Sequence, residues 1–338
     1  MHECKIAVIG ATGAVGRVFL SILEERNFPT ASIRLCGKNS VGSNLNVMGE
    51  NITVEEVTPK LLSEVDLAFI SATTSVSKEV APMAAAQGAV VIDDSSAFRM
   101  DSEVPLVVPE VNVEALETHQ GIISIPNCST TPLVMLLKPL DEINPVQRVI
   151  ADTYQSVSGT GAAAVREMEK QSSDVLQNRP VKADVYPHRI AFNLIPHIGD
   201  FHNNGYSDEE MKMILETRKI MGKPDLKVSA TCVRVPVSIG HSESVHIQLS
   251  NHMSVTEARS ILESAPGIRV LDDPNASVYP MPIDAAGRDD VYVGRIREDL
   301  SERNSITAWI VSDNLRKGAG LNAIQIAEEL LRRDLMHR

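Results

Sequence analysis

Cys128 stands in Ile125-Pro126-Asn127-Cys128-Ser129-Thr130-Thr131-Pro132, between one short apolar run and the next, Leu133–Leu137. The pattern predicts a strand, then a helix, with Ser129 or Thr130 as its cap and Pro132 in its first turn. A thiol just before a helix N-terminus meets the positive end of the helix dipole, which favours thiolate. Cys4, Cys36 and Cys232 lie in or beside apolar strand-like runs and read as small buried thiols. Cys128 has Asn and hydroxyl neighbours instead, and reads as a nucleophile.

Such a thiol needs a base. There are nine histidines. Arg234-Val235-Pro236-Val237-Ser238-Ile239-Gly240-His241-Ser242-Glu243 sets His241 on a Gly/Ser turn between two strands, with Arg234 upstream for an anionic substrate. The rivals are His188, His197 and His202, in a loop-rich stretch. No Cys or carboxylate pattern completes a tetrahedral site around them, so no metal is expected.

Gly10-Ala11-Thr12-Gly13-Ala14-Val15-Gly16 follows the first strand-like run and opens a helix. Small residues there let the backbone approach a pyrophosphate, and the helix N-terminus supplies N–H donors. The spacing is G-x-x-G-x-x-G, and no Lys-Ser/Thr follows as in a Walker loop. The plainer alternative is a tight turn packed with small residues. After the second strand, Cys36-Gly37-Lys38-Asn39-Ser40 offers no carboxylate for a ribose 2′-hydroxyl. Lys38 and Ser40 suit a 2′-phosphate, hence NADP, whereas Asn39 could also serve a plain ribose. A dinucleotide site beside a Cys–His pair implies thioester-forming aldehyde oxidation. The thiolate attacks a carbonyl, hydride passes to the nicotinamide, and a second nucleophile resolves the thioester.

The elements that position these residues fall into two groups. Up to residue 126, strand-like runs (Lys5–Ile9, Ser32–Cys36, Leu67–Ser71, Val90–Asp93, Leu106–Val108, Ile122–Ile125) alternate with helical patterns at Ala14–Arg26 and Val76–Gln87. Continuous Val/Ile-rich runs are those of buried parallel strands, so an α/β doubly wound sheet is expected. Further on, strands at Val146–Ser156, Lys227–Val235, Val245–Ser250, Val291–Arg297 and Ile306–Ser312 suggest a mixed or antiparallel sheet in an α+β domain. Capping boxes at Ser207–Glu210 and Ser254–Glu257 open helices, Gly161–Val175 is helical, and Leu321–Leu335 is an amphipathic terminal helix. The expected domains are 1–127 plus 321–338, and 128–320, with the boundary beside the nucleophile.

A length of 338 residues suits two domains. A net charge of −12 without a long basic stretch argues against a nucleic-acid-binding role. No apolar run approaches the roughly 20 residues of a membrane helix. Met1-His2-Glu3-Cys4-Lys5 leads straight into a strand-like run, so no secretory leader is expected. Four dispersed cysteines form no disulfide framework, and a cytoplasmic location follows.

Over nearly its whole length the chain resembles the aspartate-β-semialdehyde dehydrogenase family. The motifs, in order, are Gly10–Gly16, Asp94-Ser95-Ser96-Ala97-Phe98-Arg99-Met100, Val108-Pro109-Glu110-Val111-Asn112, Asn127-Cys128-Ser129-Thr130, Thr153–Gly161, Phe192–His197, and Arg234 with His241. The resemblance implies a Rossmann-like first domain and a second, catalytic and dimerisation domain. It implies NADP-linked interconversion of L-aspartate semialdehyde and β-aspartyl phosphate, towards lysine, threonine, methionine and diaminopimelate. Cys128 would be the acyl-thioester nucleophile and His241 the general acid/base. Asn127 would hold the oxyanion or phosphate, Gln155 the substrate, Arg99 and Lys219 the phosphate, Arg234 the substrate carboxylate and Glu216 its ammonium. Thr12–Val15, Asn39, Ser40, Ser158, Gly159 and Asn314 would line the cofactor site. A homodimer or a tetramer of dimers is implied too. The family often has Arg where Asn39 stands, and many members carry Gly near Ala72-Thr73-Thr74. The competing readings are a reductase of N-acetyl-γ-glutamyl phosphate and a non-catalytic dinucleotide-binding protein.

Overall fold

The computed structural model describes residues 3–336 of the 338. Met1 and His2, read as leading into the first strand, lie outside the described residues, as do the last two of the chain. The chain divides into two compact units, Met1–Asn127 with Ala319–Arg338, and Cys128–Gly318. Among the described residues, no helix is long and apolar enough to cross a membrane.

The first unit holds strands β1 (Cys4–Ile9), β2 (Thr30–Cys36), β3 (Asn44–Val47), β4 (Glu50–Glu55), β5 (Leu67–Ile70), β6 (Val90–Asp93) and β7 (Ile122–Ser124). Its helices are α1 (Ala14–Glu25), α2 (Pro59–Leu62), α3 (Thr74–Ala86) and α4 (Pro109–Asn112). A helix from the end of the chain, Leu321–Arg332, completes it. The sheet order is β3-β4-β2-β1-β5-β6-β7, parallel except for the β3–β4 hairpin. Both faces are covered, which explains the continuous apolar runs. Ile6, Val8 and Phe69 enter one core with α1 and the terminal helix, where Phe19 stacks on Phe69 at 4.0 Å. Ala7, Ile9, Ala68 and Ile70 enter the other, with Val80 and Ala84 of α3.

The second unit holds α5 (Thr130–Ile143), β8 (Val146–Gln155), α6 (Ala162–Leu176), α7 (Asp208–Ile220), β9 (Lys227–Arg234), β10 (His241–Leu249), α8 (Val255–Glu263), β11 (Ile268–Val270), α9 (Pro282–Ala285), β12 (Val291–Glu298) and β13 (Ser305–Ser312). The order is β11-β12-β13-β10-β8-β9. β10 runs antiparallel to β8 and β13, while β8 and β9 are parallel. The sheet is therefore mixed, as the α+β reading requires. Both capping boxes form, Ser207 with Glu210 and Ser254 with Glu257.

Several local expectations need correction. The 44–55 hairpin went unread because its two-residue turn is Met48-Gly49, both at positive φ (50° and 82°), without the usual Asn or Asp signal. Leu106–Val108 is no strand. Proline at 105 and 109 limits it to a bridge between Leu106 and Ser124. α5 is longer than Leu133–Leu137, continuing through Pro139 to Ile143. Ser129 precedes it with helical dihedrals (φ −88°, ψ −32°) and gives no side-chain cap. His241 is not on the turn. Gly240 turns at φ +95° and β10 begins with His241 itself.

Candidate active site

In the first unit, the crevice opens where β1 pairs β2 on one side and β5 on the other. This is the switch point of a doubly wound sheet, where ligands bind at the carboxyl ends of strands. Gly10 lies there at φ +87°, and a Cβ on it would come within 2.0 Å of the Ser71 carbonyl oxygen. A Cβ on Gly16 would lie 2.4 Å from the Gly10 carbonyl oxygen. Only glycine fits either position. Gly13 starts α1 and provides no side-chain cap. The first N–H groups of Ala14, Val15 and Gly16 thus face the crevice end of the helix without intrahelical acceptors. This bare, side-chain-free helix N-terminus fits the pyrophosphate of a dinucleotide. The Thr12 hydroxyl donates to Ser40 Oγ at 3.2 Å, linking the loop to the segment after β2. Lys38 and Asn39 are exposed there. The carboxylate in register with Cys36 is Glu55, and Arg34 holds both its oxygens, at 2.7 and 2.8 Å. That guanidinium keeps the Glu55 carboxyl below its ordinary range.

In the second unit, alternate residues of β8, β9 and β10 share one face of the sheet. Gln155 of β8 lies in register with Arg234 of β9, and His241 leads β10. One layer down, Glu243 pairs with Thr153, which pairs with Cys232. The Thr153 hydroxyl donates to Gln155 Oε1 at 3.1 Å, and Gln155 Nε2 donates to Glu209 of α7 at 2.9 Å. These bonds fix the amide's orientation.

Ser156, just past β8, ties the layer together. Its N–H donates to His241 Nδ1 at 3.0 Å, and its carbonyl accepts from Arg234 Nη1 at 2.7 Å. A backbone N–H can only donate, so Nδ1 is an acceptor and the neutral ring carries its proton on Nε2. Nε2 is buried and has no hydrogen-bond partner. Burial, followed by the positive charge of Arg234, pushes the His241 pKa down to about 3. The imidazole is therefore neutral at physiological pH and presents an N–H donor. The Gly159 main chain lies against both groups. A Cβ there would approach Arg234 Nη1 to 3.1 Å and His241 Nε2 to 3.2 Å. Asn314 accepts from the Ser156 hydroxyl (3.0 Å) and the Gly240 N–H (2.9 Å), and its amide donates to Ser158 Oγ (3.0 Å).

Cys128 immediately precedes Ser129 and α5 and is half-buried. Its far side is closed by Gly318, where a Cβ would come within 2.9 Å of Cys128 Cβ. Glu216, buried, and Lys219, half-buried, are three apart on α7. Arg99 and Asn127 are buried in the first unit. Two of the rival histidines have partners of their own. His202 Nε2 pairs with Asp208 at 2.9 Å, and His197 stacks on Phe201 at 4.4 Å. Among the described residues no group of three or more potential ligands could hold a metal.

Sequence reasoning missed Ser156, Glu209 and Glu243. Glu209 was visible only as part of a capping box. Glu243 could have been found from strand alternation, since it follows His241 by two. It is fully buried, neither carboxylate oxygen has a hydrogen-bond partner, and burial raises its pKa well above the ordinary value.

Two outcomes follow from these environments. Burial pushes the Cys4 thiol up to about 11 and the Cys36 thiol to about 12, and raises Cys232 further. Brief iodoacetamide treatment of the folded protein is therefore expected to label one thiol, Cys128, and Cys128→Ala to abolish labelling. Equal labelling of a second cysteine would contradict this. Folded Glu243 keeps a proton that the unfolded chain releases near pH 4.5, so stability falls by about 1.4 kcal/mol per pH unit between that value and the raised pKa. Glu243→Gln removes that slope. Its melting temperature should match wild type near pH 4 and exceed it at pH 8, and a pH-independent difference would refute the assignment of a neutral carboxyl.

Family models match both units, the semialdehyde dehydrogenase NAD-binding domain over residues 5–119 and the semialdehyde dehydrogenase dimerisation domain over 137–317. The aspartate-semialdehyde dehydrogenase of Bacillus subtilis is 48% identical over 340 residues, covering 98% of each chain. Aspartate semialdehyde dehydrogenase II of Vibrio cholerae, complexed with ASA, superposes with a TM-score of 0.95 at 41% identity, over 98% of this chain and 99% of that one. The Candida albicans enzyme with NADP does so at 0.78 and 27% identity, over 98% and 99%. The chain belongs to the aspartate-semialdehyde dehydrogenase family.

Proposed function

We propose that this chain interconverts L-aspartate semialdehyde and β-aspartyl phosphate reversibly, with NADP and inorganic phosphate, through a thioester on Cys128. The observation that carries this reading is the neutral, buried His241, pinned through Nδ1 with Nε2–H open, beside a buried Arg234. Its relatives, including a structure complexed with ASA, bear the same enzyme's name.

Gly10–Gly16, Thr12, Lys38, Asn39, Ser40, Ser158, Gly159 and Asn314 would hold the cofactor, and the Gly10–Gly16 cradle supports this. When bound, NADP(H) supplies the hydride acceptor or donor. The rest is the work of this chain's side chains. The Cys128 thiolate adds to the aldehyde carbonyl and its electron pair becomes the C–S bond. The carbonyl oxygen gains negative charge, which the Nε2–H of His241 and the Asn127 amide stabilise. Donors at such an oxyanion are worth roughly 10²–10³ in rate. Phosphate, held by Arg99 and Lys219, attacks the thioester carbonyl and expels Cys128 as thiolate. Arg234 takes the substrate carboxylate with a planar fork that Lys lacks. Gln155 orients the substrate, and Glu216 takes its ammonium. The lack of a free carboxylate after β2, with Glu55 occupied by Arg34, favours NADP over NAD. The matched dimerisation domain supports a homodimer or a tetramer of dimers, and four free cysteines suit the cytoplasm.

Nicotinamide reduction from L-aspartate semialdehyde, with and without phosphate, tests this with NADP and NAD in parallel. Phosphate-dependent NADP reduction is expected, lost by at least about 10⁴-fold in Cys128→Ala. Arg234→Lys should lower kcat/KM about 30-fold, the loss of one charge-assisted hydrogen bond of about 2 kcal/mol. A preference for NAD would overturn the reading of Lys38 and Ser40. Turnover of N-acetyl-γ-glutamyl semialdehyde instead would move the chain to the sister reductase.

A further inference from the structure

Gln155, Arg234 and His241 stand at the ends of three neighbouring strands, and all three are buried. Arg234 Nε and His241 Nε2 have no hydrogen-bond partner. Both are donors, since a guanidinium accepts nothing and the imidazole already accepts at Nδ1. What Gln155 presents beside them depends on which way its amide is turned. The two ends of a primary amide are nearly equal in shape, so packing does not choose between them. The Thr153 hydroxyl does not choose either, because a hydroxyl donates or accepts as its neighbour requires. Glu209 does choose. An ionised carboxylate only accepts, so Nε2 must face it, as it does at 2.9 Å. Lys212 Nζ donates to the other Glu209 oxygen at 3.2 Å, so a cation stands beside that carboxylate. The next residue pins the main chain here. Glu210 accepts from the Ser207 N–H at 2.7 Å and from the Cys232 N–H of β9 at 3.0 Å. The first turn of α7 is thereby tied to the strand beside β8, and Glu209 is delivered to the Gln155 amide.

We propose that Glu209 is a positioning residue of this site: it turns Gln155 into a hydrogen-bond donor, so that the layer meets substrate oxygens with donors. This deepens the proposed function and rests on its reading that Gln155 orients the substrate. One Nε2–H of Gln155 goes to Glu209, and the other is left for a ligand. The carbonyl end is turned to Thr153, one layer down. The chemistry of the proposed substrate agrees, because its carboxylate and carbonyl oxygens only accept. A reversed amide would set a carbonyl oxygen against them, with the Glu209 carboxylate repelling that same oxygen from behind. Glu209 thus acts through Gln155 and touches no substrate itself.

The test is kcat/KM for L-aspartate semialdehyde on the full chain, with melting temperature measured alongside. Gln155→Ala isolates the underlying reading: turnover like that of wild type means that Gln155 does not meet the substrate, and the reading falls with the proposal. Glu209→Ala is expected to lower kcat/KM about tenfold in the wild-type background and by no more than about twofold in Gln155→Ala. An equal loss in both backgrounds makes Glu209 a structural part of α7 only and overturns the proposal. The exchange Gln155→Glu with Glu209→Gln reads the polarity. Gln155→Glu alone sets two carboxylates together and should melt below wild type. Adding Glu209→Gln restores the contact with donor and acceptor exchanged, and the melting temperature with it. Position 155 then only accepts, so kcat/KM is expected to stay about 100-fold below wild type. Recovery of activity together with the melting temperature also overturns the proposal, since an acceptor would then serve as well as a donor.

Discussion

The candidate site of the second unit depends on the main chain of one residue. Ser156 gives its N–H to His241 and its carbonyl to Arg234, so the main chain of one residue sets two side chains from two different strands. Both are almost fully buried, where an unsatisfied polar atom costs about 1–3 kcal/mol. That cost makes the arrangement strict: any other rotamer of either side chain forfeits the Ser156 bond. It also decides the proton. A ring that accepts at Nδ1 must, when neutral, donate at Nε2, and a second cation beside Arg234 is disfavoured. The histidine is thereby set as an N–H donor, which suits the oxyanion role proposed for it. To become imidazolium, it would have to give up the Ser156 N–H, with Ser156 Oγ at 3.0 Å as the alternative acceptor for Nδ1–H.

The first unit solves a different problem with almost no side chains. Its ligand-facing edge consists of glycines that meet neighbouring carbonyls, and hydroxyls that meet one another. Backbone N–H groups attract anions without a counter-ion, so the dinucleotide cradle needs no cation. The phosphate reading of Arg99 does need one, and a buried guanidinium in that edge must be balanced when no ligand is present. Arg99 donates from Nη2 to the Asp94 carbonyl at 2.8 Å. Under the proposed function, anion recognition is thus divided between fixed main-chain dipoles and one side-chain charge.

The architecture was legible because its patterns are local. Parallel strands buried on both faces give unbroken apolar runs, and capping boxes announce themselves within four residues. Cys128 stood out by its polar neighbours against three thiols in strands. The omissions have a common cause: their meaning is non-local. Ser156 acts through main-chain groups, which no residue type reveals. The Met48-Gly49 turn adopts left-handed dihedrals without the residues that usually signal them, because a cross-strand register imposes what propensity does not. His241 was assigned to a turn for the opposite reason. Gly240 does turn, but the strand resumes one residue later, and that single step places the imidazole on the buried face.

Two of the buried polar side chains with open atoms fall in adjacent layers of one sheet face. His241 Nε2 is open in the upper layer, and both oxygens of Glu243 are open directly below. A core optimised for stability alone would fill or pair these positions, and proteins depart from local consistency chiefly where function requires it. The proposed function accounts for Nε2, since a donor kept for substrate has to lack a protein partner. Glu243 has no such ligand-facing duty, and as a neutral acid it adds no charge to a layer that already holds Arg234. An ionised carboxylate at that depth would draw the His241 proton equilibrium upward and remove the neutral donor. Keeping Glu243 protonated thus favours the neutral state of His241, and the six-stranded sheet of the second unit holds both side chains in adjacent layers.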